Sequence, residues 1–501
     1  MLDHFIYSEN SPLLFTQAKF WVFFGAIVLL YQLVYKKVYY RNLILLLFSL
    51  YFYYLSSGFY FTLLLFSTLV DYYLGDAIYK TQDIKKKKRY VTLSVVINLG
   101  VLSYFKYTYF FTDTFNQIFQ TNLQANNLLA QLANGLFGTH LEVAHIFLPV
   151  GISFFTFQTI SYSIDIYRGH VKPVKSIIDF AFYVSFFPQL VAGPIVRAAD
   201  FVPQIYKKYH LSQEEFSRAF FLIVNGLVKK ILISDYISVN FVDRVFESPT
   251  SYSGFENLMA VYGYAIQIYC DFSGYTDIAI GVALLLGFRL PLNFNSPYQS
   301  TSITDFWRRW HISLSSWLRD YLYIPLGGNR KGNSRTYVNL LITMLLGGLW
   351  HGAHMRFVIW GGLHGLALAF HKLWSSFFKN KVKENFATKL VAGFITFHFV
   401  CFCWIFFRAN SMDAVYQMLL QISTNFHYEL INEVLKAYSN IFIVMLIGYA
   451  LHWTPSSVKL NVSNAFARTP DYVKAFMLIC IAIFLFQMKS SEIQPFIYFQ
   501  F

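Results

Sequence analysis

RRWHISLSSWLRDYLYIPLGGNRKG, residues 308–332, is the stretch that decides the fold class. It carries four Arg, one Lys, one Asp and one His, although the surrounding chain is strongly apolar. A charged side chain at membrane depth costs about 3 kcal/mol, so such residues persist mainly where they line a water-filled cavity or take part in chemistry. The stretch therefore predicts a polar cavity inside a membrane protein. The alternative is a loop beside the membrane with ordinary topology-setting charge.

The composition indicates an integral, polytopic membrane protein. Of the 501 residues, 56% are hydrophobic, 20% are aromatic and 13% are charged, whereas soluble domains have roughly 25% charged residues. The net charge of +14 does not indicate nucleic-acid binding, because Lys and Arg of membrane proteins gather in cytoplasmic loops. The four cysteines lie in apolar surroundings and predict neither a disulfide framework nor a metal site.

The apolar segments predict an all-α fold of about 11 transmembrane helices that surround a central polar funnel or tunnel. Some apolar segments are shorter than the roughly 20 residues of a spanning helix, so re-entrant or short buried helices are expected as well. The basic run KKKKR at 85–89 places its loop in the cytoplasm. We expect one membrane domain over 1–501, with N-terminal helices at 1–111, a catalytic core at 145–375 and C-terminal helices at 388–501.

Two of the 13 histidines stand out by their surroundings. His311 lies between WRRW and ISLS, and His351 ends the apolar segment LLGGLWH. A neutral imidazole is the usual general base near pH 7, whereas a structural role is the alternative for a lone His on an apolar helix. Gly347 and Gly348 precede His351 and allow a substrate or another backbone to approach closely.

The motifs of several enzyme classes are missing. The chain has no GxSxG elbow, no P-loop and no GxGxxG after a strand, so serine-hydrolase, nucleotide-hydrolysing and dehydrogenase functions lack support. His351, His354 and His364 offer too few ligands for a redox iron site, so we expect no metal and no tightly bound cofactor. A His base beside a basic entrance that holds a phosphate-bearing donor suggests acyl transfer instead.

Three runs carry a family resemblance. CDFSGYTDIAIG (270–281), PLNFNSPYQSTSITDFWRRWHISLSSWLRDYLYIPLGGNR (291–330) and GGLWHGAHMRFVIWGGLHG (347–365) resemble the membrane-bound O-acyltransferase (MBOAT) family. The likeness is strongest to the branch that contains the membrane subunit of bacterial alginate O-acetyltransferase. It implies a helical funnel and a catalytic site in which the two family histidines fall on His351 and His311.

The resemblance also implies a donor, an acceptor and partners. The donor would be cytoplasmic acetyl-CoA, and the acetyl group would pass across the bacterial inner membrane. A separate SGNH-type O-acetyltransferase would then place it on an exopolysaccharide or a cell-envelope glycan. The lipid bilayer is a further expected partner, and nucleic acid is not.

Residues near the two histidines are the candidates for binding the donor or the acceptor. Arg308 and Arg309 suit the phosphates of coenzyme A, because a guanidinium matches phosphate oxygens well. Asp305 is at helical spacing to pair with either of them. Polar or aromatic groups of the same block complete the candidate set: Trp307, Trp310, Asp271, Ser273, Tyr275, Asp277 and Asn293.

Two other functions remain open at this point. A teichoic-acid type D-alanyl transferase shares the segment around His311 but takes its acyl group from a carrier protein. A non-enzymatic anion transporter would use buried His and Arg to bind its solute. Dependence on a thioester separates the transporter from both transferases.

Overall fold

The structure is a computed structural model that describes residues 7–8, 12–138, 142–191, 193–378, 385–488 and Phe496. Every regular element in these ranges is a helix, which confirms the all-α prediction. Single turns of 3-10 helix occur at Gly58–Tyr60, Pro249–Ser251, Pro297–Gln299 and Tyr428–Leu430. Segments of π-helix occur at Val228–Asp235, Ser238–Val242 and Arg319–Tyr323.

The described residues contain several candidate membrane spans by length and composition. Four helical stretches are long and apolar enough to cross a bilayer: Val38–Lys80, Ile84–Phe119, Gly254–Leu285 and Phe386–Arg408. The number rises to six if two bent helix pairs near the C-terminus each form one span. These stretches agree with a membrane protein. The larger count of about 11 spans and the funnel stay predictions, because many other helices are shorter than a spanning helix.

The N-terminal group of helices extends from Ala18 to Phe137. Asp83 caps the 36-residue helix of this group, because its Oδ1 accepts the backbone N–H of Lys85 at 2.8 Å. The helices are α1 (Ala18–Val34), α2 (Val38–Ser57), α3 (Phe61–Lys80), α4 (Ile84–Phe119) and α5 (Leu128–Phe137).

The next group contains the most buried long helix. The helices are α6 (Ile152–Tyr167), α7 (Ile177–Ser185), α8 (Phe187–Leu190), α9 (Ala198–Ile205), α10 (Gln213–Leu227), α11 (Asp243–Glu247) and α12 (Gly254–Leu285). α12 begins with a capping box between Ser253 and Glu256. It packs closely on α10, since a Cβ on Gly274 would lie 2.8 Å from the carbonyl oxygen of Gly226.

From the end of α12 to Leu318 the chain is largely buried and forms only short helices. It continues as α13 (Ile303–Arg309), α14 (Ile312–Leu318), α15 (Asn333–His351) and α16 (Met355–Phe378). The irregular stretch before α13 is shielded by protein: Tyr298 donates its hydroxyl to Ala265 O at 2.6 Å, and its N–H to His452 Nε2 at 3.0 Å. Irregular backbone at membrane depth requires such internal partners.

The C-terminal helices pack against this centre. They are α17 (Phe386–Arg408), α18 (Met412–Thr424), α19 (Ile431–Ala437), α20 (Ser439–Trp453), α21 (Ser456–Arg468) and α22 (Asp471–Met488). One buried apolar cluster includes Phe105 of α4, Phe272 of α12 and Trp404 of α17. The division of the domain into three parts stays a prediction.

Candidate active site

His311 occupies an unusual backbone conformation between α13 and α14. It has φ 44° and ψ 55°, in the left-handed region that residues other than Gly rarely adopt. Two backbone hydrogen bonds of 2.9 Å flank it, from Asn295 N to Arg309 O and from Ile312 N to Asn293 O. The surrounding chain thereby fixes a conformation of the kind that clusters at functional sites.

The hydrogen bonds of Asn293 determine the tautomer of His311. Asn293 Oδ1 accepts the backbone N–H of Ser313 at 3.2 Å and the Ser313 hydroxyl at 2.9 Å, so it is an acceptor. His311 Nδ1 lies 3.1 Å from the same oxygen and must therefore be the donor. The lone pair of a neutral His311 ring is then on Nε2.

His351 is the last residue of α15 and is buried, with 2% of its surface exposed. Its ring packs edge-on against Trp360 of α16 and Phe407 of α17, with ring centroids 5.0 and 5.2 Å apart. Helices α15 and α16 pack closely because glycines lie at their contact. A Cβ on Gly348 would lie 2.2 Å from the carbonyl oxygen of Phe357.

The ring of Trp350 lies beside both histidines. Its centroid is 6.1 Å from that of His311 and 5.0 Å from that of His351. Phe154 and Phe157 of α6 pack on the same indole. The structure thus brings the two predicted histidines into one buried, aromatic environment, although 40 positions separate them in the sequence.

A basic cleft of about 660 Å³ opens between α13, α14, α15 and α16. Its basic lining residues are Arg308, Arg319 and Lys372, and His371 lies among them. Arg308 is exposed and has no carboxylate partner within the described ranges, so its guanidinium is available to an anion.

Two indole rings lie between the basic cleft and His351. Trp307 lines the cleft and packs against Trp360 with centroids 5.8 Å apart, and Trp360 contacts His351. The Trp307 indole N–H donates to His364 Nδ1 at 3.3 Å, which holds Trp307 in place. These contacts place the cleft next to the aromatic side chains that surround His351.

The remaining predicted residues fall into two places. Asp305 pairs with Arg309 at 3.0 Å, and Trp310 packs on Phe294 beside His311. Residues from α12 lie elsewhere: Asp271 and Asp277 pair with Lys230 and Lys229 on the π-helical continuation of α10, at 2.6 and 2.7 Å.

Two further predicted residues of α12 lie in the protein interior. Tyr275 stacks on Phe15, and Ser273 is buried. The apolar Phe272 of α12 contacts His311, with ring centroids 4.7 Å apart. Aromatic packing of α12 on the histidine was not predicted from the sequence.

Several polar contacts near the site also lacked a local sequence signal. Lys106 and Tyr107 of α4 bind carbonyls at the end of α15, and Arg356 donates to Phe407 O at 2.6 Å. Asp320 pairs with Arg197, 123 positions away, at 2.8 Å. The sequence pointed to Lys106 only in that it is a lone Lys in the apolar part of α4.

Within the part of the chain that the structure describes, no group of three or more His, Cys, Asp or Glu side chains could hold a metal ion.

Comparison with known proteins identifies the class. The profile of the MBOAT, membrane-bound O-acyltransferase family, matches residues 170–412, which include both histidines and the basic cleft. The chain belongs to this family and is an O-acyltransferase.

Two relatives that match over 80% or more of their length are named as O-acetylating proteins. The chain is 37% identical to a peptidoglycan O-acetyltransferase of Helicobacter pylori, over 84% of this chain and 80% of the relative. It is 36% identical to the probable alginate O-acetylase AlgI of Pseudomonas putida, over 92% and 95%. A teichoic acid D-alanyltransferase of Bacillus subtilis is 31% identical, over 52% and 69%.

Proposed function

We propose that this protein takes acetyl groups from cytoplasmic acetyl-CoA and passes them across the bacterial inner membrane. The acetyl groups serve the O-acetylation of an exopolysaccharide or another cell-envelope glycan. The pair of buried histidines beside a basic cleft supports this proposal most directly. The two acetylating relatives named above match far more of the chain than the D-alanyltransferase does.

The donor is proposed to bind in the basic cleft. Arg308 and Lys372 face the phosphates of coenzyme A, since cations and phosphate oxygens form strong charge-assisted hydrogen bonds. The thioester arm then extends past Trp307 toward His351. No tightly bound cofactor is needed, because the thioester itself provides a good leaving group.

His351 is the proposed general base. A hydroxyl oxygen of the acceptor attacks the thioester carbonyl carbon while His351 takes the hydroxyl proton. The carbon–sulfur bond breaks, and the proton passes to the departing thiolate. The products are an O-acetyl ester and the free thiol of coenzyme A. His311, whose Nε2 carries the lone pair, orients the attacking hydroxyl.

A second protein completes the proposed pathway. An SGNH-type O-acetyltransferase on the outer side of the membrane receives the acetyl group and places it on the glycan. The acceptor that meets His351 is then a hydroxyl of that partner or of the glycan itself.

Thiol release from radiolabelled acetyl-CoA tests the proposal. Purified protein in nanodiscs is assayed with an acceptor glycan and an outer-side partner, as wild type, His351→Ala and His311→Ala. His145→Ala is the matched control, because the His145 side chain is 76% exposed. We expect thiol release and label on the acceptor in the wild type and the control, with loss in His351→Ala.

Two results would count against the proposal. Folded wild-type protein that releases no thiol from acetyl-CoA but accepts an acylated carrier protein would indicate the D-alanyl type of donor. Full activity of His351→Ala would remove His351 as the base.

A further inference from the structure

Two neighbouring residues of α4 bind the end of the helix that carries His351. The Lys106 ammonium donates to Trp350 O at 2.7 Å and to His351 O at 3.1 Å. The Tyr107 hydroxyl donates to Leu349 O at 2.9 Å. Three consecutive carbonyls of α15 are therefore held from a helix that is more than 240 positions away.

These three carbonyls are at the C-terminal end of a helix, where C=O groups lack hydrogen-bond donors from the helix itself. The last four C=O groups of an α-helix have no intrahelical donor, and partial negative charge collects there. α15 ends at His351, so Leu349, Trp350 and His351 supply three of its four terminal carbonyls. An ammonium and a hydroxyl meet both the hydrogen-bonding and the electrostatic requirement of this helix end.

The Lys106 ammonium is bound by protein groups and is not simply solvated. It lies in the part of α4 that forms a candidate membrane span, where an ammonium needs a polar partner. Its Nζ is also 5.9 Å from the centroid of the Trp350 ring, the indole that contacts both histidines. The same cation thus contacts both the backbone and the aromatic neighbour of His351.

We propose that Lys106 is a positioning residue for His351, because it fixes the end of α15 and the Trp350 ring. Tyr107 supports it through Leu349 O. This inference rests on the proposed function, in which His351 is the base. Lys106 itself contacts no reacting group in this scheme, so its loss acts through the placement of the imidazole.

Steady-state acetyl transfer tests the effect on catalysis. We expect Lys106→Met to lower kcat by about 10- to 100-fold, since a displacement of about 1 Å at a reacting group has an effect of this size. The KM for acetyl-CoA stays within about twofold, because the basic cleft is unchanged. Lys106→Arg restores most of kcat, since a guanidinium can donate to the same carbonyls.

The matched controls separate this role from a general loss of charge. Lys80→Met removes an ammonium whose side chain is 73% exposed at the end of α3 and leaves kcat unchanged. Tyr107→Phe removes the bond to Leu349 O alone and lowers kcat less than Lys106→Met. A thermal unfolding curve for each variant confirms that the protein remains folded.

Hydrogen–deuterium exchange of the protein in nanodiscs tests the same contact without any assay of activity. Lys106→Met should raise exchange in the peptide that covers 345–352 by about tenfold, because the end of α15 frays. A peptide from α12 should be unchanged. Unaltered exchange at 345–352 would overturn the proposal whether or not the protein transfers acetyl groups.

The two assays distinguish failure of this inference from failure of the proposed function. A wild type without transfer contradicts the proposed function, and the exchange data still decide whether Lys106 holds α15. An active wild type, an inactive His351→Ala and a fully active Lys106→Met would overturn the positioning role alone.

Discussion

His311 Nδ1 lies 3.1 Å from Asn293 Oδ1, an oxygen that also accepts the N–H of Ser313. One amide oxygen therefore holds the imidazole of His311 and the first turn of α14 together. Since that oxygen accepts from a backbone N–H, it leaves His311 only the role of donor through Nδ1. The orientation of the ring and the identity of its basic nitrogen both depend on Asn293.

Replacement of Asn293 tests this dependence. We expect Asn293→Leu to lower kcat for acetyl transfer by about 10- to 100-fold, because the ring loses the partner that fixes its tautomer and position. Asn295→Leu is the matched control, since Asn295 is exposed two positions further along. Equal kcat values for the two variants would contradict a role of the Asn293 side chain.

The basic cleft makes a separate prediction about the donor. Arg308→Ala should raise the KM for acetyl-CoA by about 3- to 10-fold, with kcat nearly unchanged, because a charge-assisted contact to phosphate is lost. Arg330→Ala is the control, since Arg330 is exposed and lies outside the cleft lining. The measurement is initial rate against acetyl-CoA concentration. A lowered kcat with an unchanged KM would argue against phosphate binding by Arg308.

The packing of α15 on α16 predicts a contrast between two adjacent glycines. A Cβ on Gly361 would lie 2.2 Å from Met344 O, whereas a Cβ on Gly362 would lie 3.5 Å from a Leu345 methyl group. Gly361→Ala should lower the free energy of unfolding by about 1–3 kcal/mol, because the helices must separate. Gly362→Ala should be close to neutral. Thermal unfolding followed by Trp fluorescence measures both, and similar midpoints would contradict the close approach.

The sequence predicted a membrane protein and singled out two histidines, because both features are visible in short stretches of the chain. A run of charges in an apolar chain, and His351 after two glycines, can be read without knowledge of the fold. The role of the polar residues on α12 was harder to predict. Asp271 lies one position from Phe272, but the two side chains leave the helix in directions about 100° apart. The carboxylate therefore meets Lys230, and the phenyl ring meets His311.

The contacts between distant segments could not be predicted from one sequence. The spacing of four positions allowed the ion pair between Asp305 and Arg309 to be predicted. Asp320, in contrast, has no basic residue three or four positions away, and Arg197 reaches it only because the folded chain brings the segment before α9 beside Arg319–Tyr323. The capping of α15 by Lys106 has the same origin.

The ion pairs of Asp320 predict that the stability of the protein depends on pH. Asp320 lies outside the candidate spans, and its carboxylate oxygens are 2.7 Å from Arg319 Nε and 2.8 Å from an Arg197 nitrogen. Burial raises the pKa of Asp320, but hydrogen bonds from Arg319 and Arg197 outweigh this effect and hold the pKa below its usual range. Folding therefore favours the ionised form.

A carboxyl group whose pKa is lower in the folded state stabilises the protein above its unfolded pKa of about 3.9. This stabilisation is lost as the pH falls through the lower, folded pKa. Asp320→Asn should thus reduce the free energy of unfolding by about 1 kcal/mol at pH 7. The difference from wild type should shrink below about pH 4, because the wild-type carboxyl becomes neutral as well.

Thermal unfolding in nanodiscs at several pH values between about 3 and 7 spans the transition of Asp320. Asp200→Asn is the matched control, because Asp200 is exposed and lines the same cavity of about 580 Å³ as Asp320. The control should follow the wild type at every pH. A difference between Asp320→Asn and wild type that stays constant down to the lowest pH would assign the effect to packing of the side chain. A difference that disappears on acidification assigns it to the ion pair that joins Arg197 to the segment after α14.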